Sequence, residues 1–291
     1  MIEQQNVSPR RSRVDITELA VLGEQFPLRL MQLGFRLFQV VDVYERDQVR
    51  YVLPPLCEVA AGSFLMGSDR QRDPQMSDDE MKQSPRYVPA FRIGAYPVTV
   101  AEFACAVEAG AIKEPSRGSN FTWQTQQQRP DHPVVCITWH QARAYATWLT
   151  KLTCQHWRLP TENEWEKAAR GTDGRIYPWG NQWDMRKANA GESNINTTTP
   201  IGSYADQGDA SPYGVHDMSG NVWEWTGSRY LPFSTVQTED DADTATDRVL
   251  RGGSWNLYAR DARVAYGIRG RVGTSENTSG MRLVLSARGG R

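Results

Sequence analysis

The sequence predicts an α+β fold poor in regular secondary structure, with two or three helices and short antiparallel strands. Three observations predict it. Capping-box tetrads open three helix patterns between Thr99 and Glu166. Helical periodicity then vanishes after Gly171 for about 120 residues rich in Gly, Asn, Ser, Thr, Asp and aromatics. Alternating apolar runs flank a polar turn between Phe35 and Leu53, the pattern of a β-hairpin.

The elements follow in order. Residues 1 to about 15 are polar and Arg-rich and are expected to fray. Phe35–Val41 and Val49–Leu53 flank Glu45-Arg46-Asp47, and Pro54-Pro55 then ends the ladder because proline cannot donate to it. This divides the chain into an N-terminal extension, residues 1–55, and a main domain, residues 56–291; the extension docks on the domain or serves as an attachment arm. Thr99-x-x-Glu102 opens a helix with Phe103 and Val107 inward, and Thr138-x-x-Gln141 one with Ala142, Tyr145, Ala146 and Leu149 inward. Thr161-x-x-Glu164 opens a third, with Trp165, Ala168 and Ala169 inward and Gly171 as its stop. Loops as long as those beyond Gly171 are usually functional, disordered or metal-held. Trp179, Trp183, Trp223, Trp225 and Trp255 fall among them and predict packed loops, since each indole can bury a large area.

Composition narrows the function classes. With 291 residues, 39% of them hydrophobic, the chain can bury one large core or two smaller ones. No apolar run is long enough for a membrane helix, so membrane insertion is not expected. Met1–Arg13 lacks the apolar stretch of a signal peptide, which predicts a cytoplasmic protein, while surface or phage-associated display stays open. Cys57, Cys105, Cys136 and Cys154 are widely spaced, without a C-x-x-C pair, and are expected to be ordinary buried thiols. A net charge of −1 gives no field that would steer nucleic acid to the protein. Charge is uneven, however. Arg248–Arg291 holds nine Arg against Asp261 and Glu276, just after an acidic block of Glu239, Asp240, Asp241, Asp243 and Asp247. Compensation of the two within one fold is the expectation, ahead of a polyanion-binding face.

Six motifs then line up: Gly62-Ser63-Phe64-Leu65-Met66-Gly67-Ser68, Tyr96-Pro97-Val98-Thr99, Arg158–Glu166, Tyr177-Pro178-Trp179-Gly180-Asn181, Asp217–Trp225, and Arg251-Gly252-Gly253-Ser254-Trp255-Asn256 closed by Gly280–Val284. Six in one order are a specific signal. From about residue 56 to 285 the chain resembles the formylglycine-generating-enzyme, or sulfatase-modifying-factor, superfamily. That resemblance implies a C-type-lectin-like fold. It also implies a structural calcium ion held by the carboxylates of Asp217 and Glu224 and the carbonyls of Gly220 and Val222, an oxygen set suited to a hard cation. The alternative for these residues is that Asp217 and Glu224 cap turns and pair with arginines. A second family calcium site would start at Asn189-Ala190, but the following loop to Thr199 is short and has no Asp.

The catalytic residues of the family do not carry over. Leu257 and Ala262 stand where the oxidases have their copper-binding cysteines, so no copper is expected, and no His-x-x-x-His-x-Glu set of the iron-dependent sulfoxide synthases occurs among His132, His140, His156 and His216. His156 and His216 read as locally satisfied histidines. Non-catalytic relatives include variable proteins of diversity-generating retroelements, whose variable segment lies in this same frame, here residues 251–284. Leu257, Tyr258, Asp261, Tyr266, Gly267, Ile268, Gly270 and Val272 stand where polar residues are common in such relatives, and form the candidate ligand-binding surface or, alternatively, fill core space. The expectation is a non-enzymatic protein that binds a protein or cell-surface ligand. A regulatory or scaffolding domain derived from such an enzyme is the alternative, and a copper oxidase with atypical ligands, with Cys136 and Cys154 the nearby thiols in sequence, comes last.

Overall fold

The computed structural model describes residues 10–15, 40–46, 49–78, 80–116, 121–231 and 246–286. Its first sheet has the order β1-β2-β3, from β1 (Arg10–Asp15), β2 (Val40–Arg46) and β3 (Val49–Val52), all antiparallel. The hairpin therefore forms, with Phe35–Gln39 outside the described residues. Arg10–Asp15, expected to fray, pairs with β2 instead, since an edge strand can satisfy its amides there. The hairpin docks on the main domain. Tyr51 is fully buried, its ring 5.4 Å from that of Tyr44 and 6.4 Å from that of Trp148, and Arg46 Nη1 donates to the carbonyl of Leu152 at 2.8 Å.

Four helices follow: α1 (Val100–Glu108), α2 (Trp123–Gln127), α3 (Trp139–Thr153) and α4 (Glu162–Arg170). The three expected capping boxes are present at Thr99, Thr138 and Thr161, each with reciprocal hydrogen bonds to its third helical residue. The inward residues named above are buried, Val107 partly so. Gly171 ends α4 with φ 72°, a left-handed conformation that favours glycine. The short helix α2, capped by Thr122, carries no apolar period in one and a half turns and escapes a periodicity reading. Helix α4 differs from an ordinary surface helix, for its polar residues are buried too. Lys167 Nζ donates to the carbonyls of Ala60 and Gly62 at 2.6 and 2.9 Å, and Arg170 Nη1 to those of Leu65 and Gly67 at 2.7 and 2.6 Å, so the charged face grips a neighbouring hairpin. That hairpin is β5 (Gly62–Met66) with β6 (Ser84–Val88).

Two four-stranded sheets hold the rest. One has the order β4-β7-β13-β8, from β4 (Leu56–Val59), β7 (Phe91–Gly94), β8 (Trp157–Arg158) and β13 (Val284–Ser286), so that the C-terminal strand is a central one. The other has the order β11-β10-β9-β12, from β9 (Trp223–Arg229), β10 (Asp247–Arg251), β11 (Gly267–Arg271) and β12 (Ser279–Met281). Its β9/β12 pair is parallel, the exception to the antiparallel expectation. The largest apolar cluster lies between this sheet and helices α1 and α3 and includes Trp139, Tyr145, Trp223, Trp225 and Met281. A second centres on Trp165 of α4. The loops between α4 and β9 are packed, as the tryptophans predicted: the rings of Tyr177, Trp179 and Trp183 stand 5.2 to 5.8 Å apart. Among the described residues no helix is long and apolar enough to cross a membrane. Cys105 and Cys136 are buried and Cys57 partly so, but Cys154 is exposed, because it is the left-handed C-cap of α3.

Candidate functional site

The frame residues at the end of β10 are committed to structure. Gly252 and Gly253 adopt φ 100° and 77°, and a Cβ on Gly253 would lie 2.9 Å from the carbonyl oxygen of Asp261, so both positions require glycine. Arg251, 1% exposed, pairs with Glu166 and Glu162 of α4 and donates to the carbonyls of Ala265 and Val264 at 2.7 Å. Trp255 stacks on Phe121 at 6.2 Å. Of the two positions aligned with cysteines, Ala262 is buried and its carbonyl accepts from Ser219 Oγ at 2.7 Å, while half-buried Leu257 packs on the main core and its carbonyl accepts from Gly191 N at 2.7 Å. Both side chains are hydrocarbon. Neither can ligate a metal or yield a thiolate.

The eight candidate surface residues do not form one exposed patch. Tyr258 stands out, 60% exposed. Leu257, Tyr266, Ile268 and Val272 are half-buried against the main core, and Tyr266 lies 6.2 Å from the ring of Trp223. Asp261 is buried, with Oδ2 accepting from the backbone N–H of Tyr258. Gly267 and Gly270 sit in β11, where an added Cβ would lie 3.0 Å from Arg251 Cδ and 2.4 Å from the Trp225 ring. Burial therefore divides the set: Asp261 and Gly270 are buried, Tyr258 is exposed, and the other five are half-buried. Beside Tyr258 lie residues that the sequence did not nominate: half-buried Glu192, whose Oε1 accepts from Ala259 N at 2.8 Å, and buried Tyr177, whose Oη donates to the carbonyl of Ala259 at 3.2 Å. Ile195, 42% exposed, lies a few residues along the same loop.

Four arginines of the basic C-terminal segment turn inward, while Arg260, Arg269 and Arg271 are exposed. Arg248, Arg251, Arg263 and Arg282 are each at most 2% exposed. Arg263 pairs with Asp73 and Glu80 at 2.6 Å each, and Arg251 with α4. Compensation within the fold is thus observed for Arg251, Arg263 and Arg282, with partners from residues 73–224; of the expected acidic block Asp247 lies 4.0 Å from Arg269, and Glu239, Asp240, Asp241 and Asp243 lie outside the described residues.

The expected calcium ligands divide. Asp217 (φ 54°), Gly220 (φ 80°) and Asn221 (φ 62°) make a left-handed loop entering β9. Asp217 is 6% exposed; Oδ2 accepts from Gly202 N at 2.8 Å, and its own backbone N–H donates to Asp209 Oδ2 at 3.2 Å. Burial first, then the Asp209 carboxylate, pushes the Asp217 carboxyl up to about 7. A dication beside it would relieve both causes, so the surroundings of the Asp217 carboxyl suit a hard cation. Glu224 does not. Its Oε1 accepts from Arg282 Nη2 at 2.8 Å, and Oε2 accepts from Arg282 Nε at 3.0 Å and Trp165 Nε1 at 2.7 Å. Arg282, fully buried, already supplies the positive charge there, and also donates to the carbonyls of Gly94 and His216 at 2.8 Å. For Glu224 the arginine-pairing alternative is the one observed. Among the described residues no group of three or more His, Cys, Asp or Glu side chains converges as a metal site. Asn189, which would start a second site, accepts from Ser193 Oγ and donates to the carbonyl of Thr197, bracing its own loop. His216 is satisfied locally, bonded to Asp209 Oδ1 at 2.7 Å and stacked on Tyr96, whereas His156 is exposed.

Comparison with known proteins agrees with this framework. The model of the sulfatase-modifying factor enzyme 1-like domain matches residues 42–287, beginning inside the N-terminal hairpin. The formylglycine-generating enzyme of Bos taurus is 30% identical over 264 residues, covering 70% of this chain and 67% of that protein. The bovine inactive C-alpha-formylglycine-generating enzyme 2 is 38% identical over 140 residues, covering 44% of this chain and 40% of that protein. Among solved structures, PvdO from Pseudomonas aeruginosa superposes with a TM-score of 0.70 at 24% identity, over 80% of this chain and 95% of its own. Treponema denticola variable protein 1 does so with 0.62 at 21% identity, over 84% and 98%. At those identities the two structures report the fold. The family includes both active and inactive members, and from the model match over 42–287 this chain belongs to the sulfatase-modifying factor enzyme 1-like family.

Proposed function

We propose that this chain is a non-enzymatic ligand-binding protein that uses the family scaffold to present a surface centred on Tyr258. The observation that carries the reading is the replacement of both oxidase thiol positions by hydrocarbon, Leu257 against the core and Ala262 closed inside it. With no thiolate there, neither copper ligation nor thiol oxidation has a chemical starting point at that site. A tyrosine supplies broad, rigid contact area with a polar tip, the usual currency of recognition surfaces. Titration with Cu(I) and incubation with a cysteine-containing peptide should give neither stoichiometric binding nor aldehyde; either product would sink the reading.

In its specific form the protein is a retroelement variable protein. The gene would then lie near a reverse transcriptase and a near-copy of the codons for residues 251–284, with adenines at the codons for Tyr258 and its exposed neighbours. Absence of such a repeat removes the specific form and leaves the general one. The reading also includes one structural calcium, held by Asp217 and the carbonyls of Gly220 and Val222, with Glu224 left to Arg282. Melting with calcium and with chelator tests it: a rise with calcium that Asp217→Asn abolishes is expected, and equal melting of the native chain in both conditions refutes it.

A further inference from the structure

A cavity of about 160 Å³ opens between α2, the loop that follows it and Thr198. It shares no lining residue with the Tyr258 surface or the Asp217 loop. Exposed Gln128 and Arg129 and half-buried His132 line it, and among the described residues no Asp or Glu does.

The frame of the cavity is fixed by bonds within the fold. The buried Gln126 amide donates to the carbonyls of Phe121 and Val135 at 3.3 and 3.2 Å, and its oxygen accepts from the backbone N–H of Val135 at 3.0 Å. The loop is pinned to the start of α1, where Val100 N donates to the carbonyl of His132 at 2.9 Å, and Val134 N donates to that of Val98 at 3.0 Å. The polar groups on the rim are not committed in this way. Among the described residues Arg129 makes one side-chain hydrogen bond, from Nη1 to Thr197 Oγ1 at 2.9 Å, and pairs with no carboxylate. The Gln128 side-chain amide has no partner among them. His132 shares Nδ1 with Thr198 Oγ1 at 2.8 Å, which leaves Nε2 unused. Burial, then the charge of Arg129, pushes the His132 ring down to about 4, so near pH 7 Arg129 is the single cation of the lining. An uncompensated guanidinium flanked by an uncommitted amide and a neutral imidazole is a donor set for an anion, since guanidinium N–H groups match the oxygens of a carboxylate or a phosphate. A space well below the size of ordinary ligand pockets restricts that anion to a few atoms.

We propose that this cavity binds a small oxyanion, inorganic phosphate or a short carboxylate, on Arg129, with Gln128 and His132 completing its shell. The full chain is titrated with inorganic phosphate and, separately, with acetate, at an ionic strength held constant with potassium chloride. Calorimetry gives the affinity, and NMR of the His132 ring protons gives the place. Saturable one-site binding of at least one probe is expected, with the His132 signals moving along the same isotherm, and the tighter probe tells a phosphate site from a carboxylate site. Arg129→Gln should weaken binding by about tenfold or more, as befits a lost charge-assisted bond. Gln128→Glu, at an exposed position without a side-chain bond, sets a like charge in the cavity and should abolish binding with the melting temperature unchanged. Arg260→Gln removes an arginine that is 74% exposed elsewhere and should leave the affinity unchanged, which separates a built site from attraction to any surface arginine. No saturable binding of either probe, stationary His132 signals, undiminished affinity in Arg129→Gln or Gln128→Glu, or an equal loss in Arg260→Gln would each overturn the proposal.

Discussion

Gly270→Ala tests how much of the C-terminal segment is free to vary. A methyl added there would meet Trp225 Cζ3 and Cη2 at 2.4 and 2.5 Å and Leu250 Cδ1 at 2.7 Å, all well inside van der Waals contact. Relief cannot come from the ring alone, because Trp225 is 1% exposed and its Nε1 donates to the carbonyl of Ile137 at 3.1 Å. Overpacking of this kind costs about 1–3 kcal/mol, and a swung indole forfeits roughly 1 kcal/mol more of hydrogen bonding. Loss of glycine's freedom in the unfolded chain returns about 0.5–1 kcal/mol, for a net cost of about 1–3.5 kcal/mol. At about 2–4 °C per kcal/mol for a chain of this size, the melting temperature should fall by about 2–14 °C. Gly273→Ala is the matched control, since nothing lies within 4 Å of a Cβ there, and it should be neutral or slightly stabilising. Thermal scans and urea titrations of both variants decide. If the two agree within about 0.5 kcal/mol, the packing argument is refuted and β11 is free to diversify.

Three further outcomes are expected. The fully buried Glu102 carboxyl is pushed up to about 7 by burial, against the lowering effect of the Thr99 hydrogen bonds. Because this lies above its unfolded value, the group's contribution is fully present below about pH 4.5 and is lost as pH rises toward 7, by at most about 3 kcal/mol. Glu102→Gln keeps a capping acceptor, as Gln141 does in the second box, and should flatten that pH dependence in denaturant titrations from pH 4 to 8; an unchanged slope would remove Glu102 as its source. Arg282→Met should cost about 3–5 kcal/mol by stranding Glu224, with Glu224→Gln in the same chain recovering part of the loss, as a double-mutant cycle measured by urea unfolding would report. Tyr258→Ala should leave stability within about 0.5 kcal/mol of the native chain while weakening any ligand captured at that surface, and a large fall in melting temperature would instead assign Tyr258 to the core.

What could be read from the sequence was local. A threonine three residues before Glu or Gln can start a helix through short-range hydrogen bonds, and the three tetrads read as starts, at Thr99, Thr138 and Thr161, all hold. Glycine pairs likewise announce left-handed turns, as at Gly252-Gly253. Long-range pairing was hidden. Nothing local says that Arg251 will reach back 85 residues to Glu166, or that Arg263 will span 190 residues to Asp73, so the expected compensation within the fold could not be assigned its partners. For the same reason the pairing of Glu224 with Arg282, 58 residues away, and the packing of half-buried Ile268 and Val272 against the main core were not legible from spacing. The cavity beside Arg129 is assembled from α2, the loop after it and Thr198, which no spacing rule connects.

The residues that carry the family likeness are the ones that hold the fold together. Arg251 joins β10 to α4, Trp165 of α4 donates to Glu224 of β9, and Glu224 anchors Arg282, whose other donors bind Gly94 and His216. These links tie four motifs, distant in sequence, into one buried charged network. Removing any one partner would leave an uncompensated charge in a low-dielectric interior, a penalty that falls on stability whatever the protein does. The two cysteine positions stand outside that network. The carbonyls of Leu257 and Ala262 accept from Gly191 N and Ser219 Oγ, neither of them a member of the network, and a hydrocarbon side chain at either position strands no buried charge. The frame is thus fixed by the charged network, of which neither Leu257 nor Ala262 is a member.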